Sequence, residues 1–306
     1  MELPRHWYAI ALSSEVKEGK TLALRRFSQS LVLWRGEHQQ LVVMEDRCPH
    51  RLAQLSLGEI KNHRIQCPFH GFQFNVQGQC DLVPELGKAV PHLCVRTYSS
   101  REKDGWIYLW WGSDVPDREP PEWFPGLDSS FCTVLLQERW NTHVTRSIEN
   151  QLDYAHLPYV HRKSIGRFAT SIERVPNWVL DDQKIHFSFP PARPQDPQSY
   201  IEFRFPNLWI NRISEDYSIT LAFVPVDEEW TDLYLQNHRR FLNIPFLNSW
   251  INFFMVWLNR RILNEDKHVV MTQFPRDVRE AKGEHHFPSD KAILHFRKWL
   301  KTHVDR

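Results

Sequence analysis

Two Cys-then-His pairs stand close together in the first third of the chain, Cys48-Pro-His50 and Cys67-Pro-Phe-His70, with sixteen residues between them. Each pair is short enough to come from one turn, so two loops can grip a small inorganic centre from opposite sides. Zinc fingers group two Cys together and two His together, whereas here each loop offers one of each. The mixed set suits a two-iron, two-sulfur cluster in which thiolates hold one iron and imidazoles the other. Neutral imidazoles lower the negative charge of such a centre and make its reduced form easier to reach. Gly58, Gly71 and Gly78 supply turns where the backbone must reverse or pass close to the cluster.

A second constellation lies in the segment ENQLDYAHLPYVH, Glu149 to His161. On a continuous helix Glu149, Asp153 and His156 fall at i, i+4 and i+7, which is one face. His161 lies about 140° further round an ideal helix. Pro158 between the two histidines allows the chain to turn and bring both imidazoles together. Taken alone, such a pair is as often structural as metallic, and Glu149 reads equally well as a surface charge.

Together the two constellations resemble the Rieske non-haem iron oxygenases. The run CPHRLAQLSLGEIKNHRIQCPFHGFQFNVQGQC is similar to their cluster-binding motif, and CPHRL and HGFQF resemble the dicamba demethylase and pheophorbide a oxygenase branch. Phe69 and Phe72 stand where Tyr or Trp are frequent, and Cys80 where the family commonly has a non-ligating Cys. The resemblance implies a [2Fe-2S] cluster on Cys48, His50, Cys67 and His70. It also implies a mononuclear Fe(II) on His156, His161 and a distant carboxylate, with open positions for oxygen and substrate. Asp227, Glu265, Asp266 and Asp277 are the candidates for that carboxylate. The stretch LNEDKHVVMTQ looks like the family's carboxylate helix and favours Asp266, with Glu265 the nearest competitor.

In such proteins Asp153 would link a cluster histidine to an iron-ligating histidine, usually across neighbouring subunits, which implies a head-to-tail homotrimer. Asn150 would lie near the iron. The implied activity is that of a terminal oxygenase, more a monooxygenase than a dioxygenase, that hydroxylates or oxidatively demethylates a small aromatic or polycyclic substrate with O2. The eleven glycines never form G-x-G-x-x-G, so no dinucleotide site is evident. Electrons would come from NAD(P)H through a separate reductase or ferredoxin. The alternatives are a Rieske-type electron carrier without oxygenase activity, and a zinc-stabilised binding module.

These residues need two frames. Residues 7 to about 112 read as short strands, including Leu31–Trp34, Leu41–Met44, Ile65–Gln66, Phe72–Phe74 and Trp106–Trp111, separated by Gly, Asn, Asp and Pro. Ser113–Gly126 is proline-rich and reads as a linker. Beyond it come a helix over Thr145–Tyr154, strand-like alternation over 175–235, a helix over 248–273 and a short amphipathic one at Asp290–Lys301. The expected fold is α+β: an all-β Rieske domain over 1–115, then a helix-grip-like catalytic domain over 116–306 with an antiparallel sheet flanked by helices. Trp178, Trp209, Phe223 and Trp230 are candidates to line a pocket, or simply core.

Composition narrows the setting. A net charge of +1 gives no reason to expect nucleic acid as a partner. Five cysteines, an odd number, argue against a disulfide framework and for a reducing, cytoplasmic setting. Met1 to Ala11 lacks the apolar run of a signal peptide. Residues 241–258 are largely apolar, but Asn243, Asn248, Asn252 and Pro245 are costly in lipid. This segment is expected to be an amphipathic helix over a core or a substrate entrance rather than a membrane contact.

Overall fold

The computed structural model describes residues 1–112, 115–168, 176–190, 199–241 and 246–304. It forms two compact units, one of Met1 with Arg5–Pro120 and the other of Glu2–Pro4 with Pro121–Arg306. The division falls inside the proline-rich stretch, of which Ser113 and Asp114 lie outside the described residues.

Short apolar runs broken by turn residues make the first unit a set of small antiparallel sheets. Its described strands are β1 (His6–Leu12), β2 (Leu22–Arg26), β3 (Gln29–Arg35), β4 (Leu41–Glu45), β5 (Glu59–Lys61), β6 (Arg64–Gln66), β7 (Gln73–Phe74), β8 (Gln79–Val83), β9 (Lys88–Cys94), β10 (Ser100–Lys103) and β11 (Trp106–Trp111). They pair in the orders β1-β11-β10, β2-β3-β4 and β5-β6-β7-β8-β9. Trp34, Met44, Leu55, Ile65, Phe74 and Cys80 form a core beneath the loops that follow β4 and β6. Those two loops carry the Cys–His pairs, so the sheet of β5 to β9 is their base.

The second unit is built on β12 (Cys132–Trp140), β13 (Asn177–Leu180), β14 (Lys184–Ser188), β15 (Tyr200–Arg204), β16 (Leu208–Ser214), β17 (Tyr217–Pro225) and β18 (Thr231–Arg239). They form one antiparallel sheet in the order β12-β18-β17-β16-β15-β14-β13. Register sets Leu136, Leu235, Leu221, Trp209, Phe203 and Ile185 side by side across six strands, an apolar row on one face. The helices are α1 (Val144–Leu152), the single turn α2 (Leu157–Val160), α3 (Asn248–Val270) and α4 (Lys291–Val304). On α4, Phe296 meets Phe203 edge-on at 5.8 Å, and Trp299 stacks on Phe205 at 4.1 Å. The all-β front unit and the helix-flanked antiparallel sheet are the α+β architecture expected.

The first half of α3 departs from expectation. Arg239, buried at the end of β18, donates to Asn248 and Asn252 at 2.9 and 3.0 Å, and Asn259 donates to Asn237 at 3.0 Å. The asparagines of this apolar segment therefore face the sheet, where they satisfy buried polar groups. Trp250, Phe253, Phe254 and Trp257 are exposed instead. Fully buried apolar positions begin only at Leu263, with Ile251, Met255 and Leu258 half-buried before it. Asn243 and Pro245 lie outside the described residues. Among the described residues no helix is long and apolar enough to cross a membrane.

On the opposite face of the sheet His238 is clasped between two threonines, Thr133 Oγ1 at 3.0 Å from Nδ1 and Thr220 Oγ1 at 2.9 Å from Nε2. Burial, aided by the Arg212 charge, pushes this imidazole down from 6.5 to about 4. The unfolded chain takes up the proton first as pH falls, so the contribution of His238 to stability is present above the unfolded value and is lost on descent through the folded one. Between pH 7 and pH 4 this residue should remove about 3 kcal/mol of stability. Urea midpoints of the protein and of His238→Gln across that range should converge in acid, with the variant visibly less pH-sensitive.

Candidate metal centres

The two Cys–His loops share one backbone plan. In the first, Cys48 N–H donates to Ala53 O and Leu52 N–H to Cys48 O, both at 2.8 Å. In the second, Cys67 N–H donates to Phe72 O at 2.8 Å and Gly71 N–H to Cys67 O at 3.1 Å. The fifth residue of each loop is left-handed, Leu52 at φ 60° and Gly71 at φ 73°. Each loop thus buries its thiol and turns its imidazole outward: Cys48 and Cys67 are buried, His50 and His70 exposed. The His50 and His70 rings stand 4.6 Å apart, and Phe72 stacks on His50 at 4.6 Å. Burial, with the neighbouring Cys67 thiol, pushes the Cys48 thiol up to about 11. A cationic metal beside such thiols reverses that preference, because a coordinating thiol is deprotonated outright. Asp46 closes the base of the first loop by accepting from Ser56 N–H and Oγ–H at 2.7 and 2.6 Å. Two glycines allow close passage: a Cβ on Gly58 would lie 1.9 Å from Gln66 O, and one on Gly78 2.1 Å from Val95 O.

In the second unit His156, His161 and Asp266 bring one donor atom each to within 4.8 Å of one another. Asp266 Oδ1 lies 2.9 Å from His161 Nε2 and 3.4 Å from His156 Nε2. Yet Oδ1, fully buried, makes no hydrogen bond. The three atoms point at a shared space rather than at each other. Metal ligands at about 2.1 Å in cis positions stand about 3 Å apart, so the set fits a transition-metal ion held on one face.

Each imidazole has a carboxylate at its back. His161 Nδ1 is 2.8 Å from Glu265 Oε2, which also accepts from Ser164 Oγ at 2.5 Å. Asp153 Oδ2 is 3.6 Å from His156 Nδ1, which makes no hydrogen bond, so only Glu265 holds its imidazole directly. A proton held at Nδ1 leaves the Nε2 lone pair free for a metal. Burial opposes the charged form of His156, but Asp153 and Asp266 outweigh it and raise the residue to about 9. His161 moves upward for the same reasons, through Asp266 and Glu265, and the two imidazoles hold Asp266 below the usual carboxylate range despite its burial.

Local structure explains how these groups meet. α1 stops at Leu152, because Asp153 takes extended backbone and its Oδ1 accepts the Ala155 N–H at 2.7 Å. The expected helix to Tyr154 is therefore too long, and Glu149, Asp153 and His156 do not share a helix face. Pro158 begins α2 instead of breaking a helix, its missing N–H costing nothing in a first turn. His156 and His161 flank α2 at either end, with rings 5.4 Å apart.

The other candidates have different places. Glu149 is not a surface charge: it is buried, accepting from Arg146 at 3.1 Å and from Arg297 at 2.5 and 2.9 Å, which ties α1 to α4. Asp227 accepts the Glu229 and Trp230 N–H groups in the β17–β18 turn, and Asp277 pairs with Arg279. Asn150 has a buried Nδ2 with no hydrogen-bond partner. Trp209 donates to Gln151 O at 3.1 Å, Trp178 packs on Phe187, Phe223 is core, and Trp230 sits half-exposed in its turn. Sequence reasoning missed Gln151, whose Nε2 donates to Asp266 Oδ2 at 3.3 Å, and Ser164. No spacing rule marks either one.

Residues 6–99 match the model of the Rieske [2Fe-2S] domain, and residues 140–306 match that of the vanillate O-demethylase oxygenase C-terminal domain. The chain belongs to the Rieske oxygenases of this C-terminal domain type. It is 27% identical over 332 residues to methylxanthine N1-demethylase NdmA of Pseudomonas putida, covering 98% of this chain and 89% of that protein. It is 34% identical over 176 residues to aminopyrrolnitrin oxygenase PrnD of Pseudomonas fluorescens, covering 54% of this chain and 48% of that protein. Against TIC 55 of Pisum sativum it is 32% identical, the match taking in 52% of this chain but only 30% of that protein. The fold superposes on the Pseudomonas putida NdmA QL mutant with caffeine with a TM-score of 0.80 at 24% identity, covering 97% of this chain and 89% of that one. On dicamba monooxygenase bound to dicamba the TM-score is 0.80 at 22% identity, covering 99% of each chain.

Replacing Glu149 by Ala would take away the carboxylate shared by Arg146 and Arg297 and leave each of them paired with Glu284, at a cost of about 1–3 kcal/mol. A fall of that size in the unfolding free energy is the expected result; a variant as stable as the parent would contradict the structural role of Glu149.

Proposed function

We propose that the chain is the terminal component of an oxygenase system, with a [2Fe-2S] cluster on Cys48, His50, Cys67 and His70 and one Fe(II) on His156, His161 and Asp266. The observation that carries the second half is the buried, unbonded Oδ1 of Asp266 converging with two Nε2 atoms. A carrier with only a cluster has no use for such a costly group. When bound, the iron supplies open positions at which O2 is activated beside an organic substrate, with electrons arriving from the cluster.

The residues of the chain have separate tasks in this reading. Glu265, steadied by Ser164, holds His161 in the tautomer that presents Nε2. Gln151 orients the second oxygen of Asp266. Asp153 stands 3.6 Å from His156 Nδ1, beyond hydrogen-bond reach, so it acts on that ring through its charge, and its partly exposed carboxylate faces a cluster histidine of a neighbouring copy. That arrangement calls for a head-to-tail homotrimer. Asn150 carries a buried amide donor that makes no hydrogen bond, which this reading assigns to the surroundings of the iron. The reductant is an external ferredoxin or reductase fed by NAD(P)H. Relatives named as demethylases and monooxygenases favour monooxygenation, by hydroxylation or oxidative demethylation of a small aromatic or polycyclic compound.

Iron and sulfide analysis tests this directly, since the oxygenase needs three irons per chain and a carrier two. Asp266→Ala should lose the mononuclear iron while keeping the visible colour of the cluster. Glu265→Ala should retain the site with an affinity weakened about 10–100-fold. If Glu265→Ala empties the site and Asp266→Ala does not, the assignment falls. Asp153→Ala should keep both metals but stop transfer of electrons from reduced cluster to iron; unaltered cluster reoxidation in the presence of substrate and O2 would refute the bridge.

A further inference from the structure

One face of the sheet in the second unit is closed along one row and partly open along the next. The row from Leu136 to Ile185 is buried throughout. Two positions further along the strands, register sets Asn237, Ile219, Asn211, Ile201, Phe187 and Trp178 side by side on the same face. Asn237 and Phe187 are fully buried, yet Ile219, Asn211 and Ile201 between them are only half-buried. This is the face that meets the helices: Trp209 of the closed row donates to Gln151 O at the end of α1, and Asn237 accepts from Asn259 of α3.

The open stretch adjoins the candidate iron site at both ends. Tyr154, between Asp153 and His156, packs on Phe187 at 6.0 Å and on Trp178 at 6.3 Å. Asn259 and Asp266 stand at i and i+7 on α3, which is one face of the helix. Asn237 is therefore held two turns, about 10 Å, along α3 from the carboxylate.

The polar groups of this row are amides. Asn237 is fixed in one orientation, because its Oδ1 accepts from Asn259 Nδ2 and from Tyr217 Oη, both at 3.0 Å. Asn259 is anchored in turn by donating to Met255 O at 2.8 Å. That leaves Asn237 Nδ2 buried without a partner, a costly state that an acceptor on a bound molecule would relieve. Asn211 is the polar side chain of the open stretch and offers both a donor and an acceptor. No residue of the row is charged. Arg239, further along β18, is engaged by Phe241 O, Asn248 and Asn252.

We propose that Ile219, Asn211 and Ile201 are the floor on which the substrate lies, and that Asn211, with Asn237 beyond Ile219, selects a flat, uncharged compound bearing a carbonyl or ring-nitrogen acceptor. This rests on the oxygenase reading and narrows its substrate class. Two branched side chains give a surface for a ring, and a few placed polar groups fix its orientation. A carboxylate would lose its hydration here with no cation in the row to replace it. An aromatic compound without an acceptor would leave the Asn237 amide unpaired.

The test is equilibrium dialysis of the metal-loaded full chain against three probes of one size: 2-quinolone, naphthalene and 2-naphthoate. The neutral carbonyl compound is expected to bind tighter than the anion by about tenfold or more. Asn211→Leu should lower the affinity for 2-quinolone by about tenfold while that for naphthalene holds or rises. Asn237→Asp keeps the acceptor toward Asn259 and Tyr217 but removes the spare donor, and should cost 2-quinolone a similar factor. The order of the probes on the unaltered protein does not depend on a variant folding. Iron is counted on the same samples. A chain with three irons that prefers 2-naphthoate, binds none of the probes, or keeps its affinities in Asn211→Leu overturns this inference and leaves the oxygenase reading standing. A chain with two irons overturns both.

Discussion

A carboxylate with 2% exposure and an oxygen that accepts no hydrogen bond is among the most expensive groups a protein interior can hold. Asp266 is tolerable only with positive charge against it. In the metal-free chain two imidazoles supply that charge, and the structure around them can be read as the means of keeping three donor atoms together. α3 brings Asp266 in from one side, and the elbow between α1 and α2 brings the histidines from the other. The buried Glu149 and Arg146, with the half-buried Arg297, hold α1 against α4, so the elbow has a fixed base.

The cluster loops solve a different problem with similar economy. Both place the thiol below and the imidazole above, through the same pair of backbone hydrogen bonds and a left-handed fifth residue. In the second loop glycine adopts that conformation freely, whereas in the first Leu52 adopts it inside the turn closed by its N–H on Cys48 O and by the Cys48 N–H on Ala53 O. The rings lie outward beside each other, Phe72 stacking on one of them.

Cluster-site spacing was readable because both loops are local: ligand order and turn chemistry lie within a few residues. The two histidines of the candidate iron site, five residues apart, could be picked out for the same reason. Asp266 lies over a hundred positions away, and only similarity singled it out from Glu265. The geometry separates them by the side of the His161 ring each approaches, Nε2 for one and Nδ1 for the other. Periodicity failed at Asp153, where a side-chain oxygen capturing the Ala155 N–H ends the helix two residues early. It failed again at Glu149, whose partner Arg297 comes from the last helix. The polarity of α3 was misread because a buried arginine on β18, invisible to any helical pattern, recruits the asparagines inward.

α3 runs unbroken from Asn248 to Val270, so Trp257 and Asp266 belong to one rod and stand about 13 Å apart along it. A rod of this kind has no joint at which one end can adjust without the other. A roll of the helix by even one residue's angular step would swing Asp266 away from both imidazoles. The tether from Arg239 to Asn248 and Asn252 therefore acts as an alignment pin, setting from some distance the azimuth at which the carboxylate arrives.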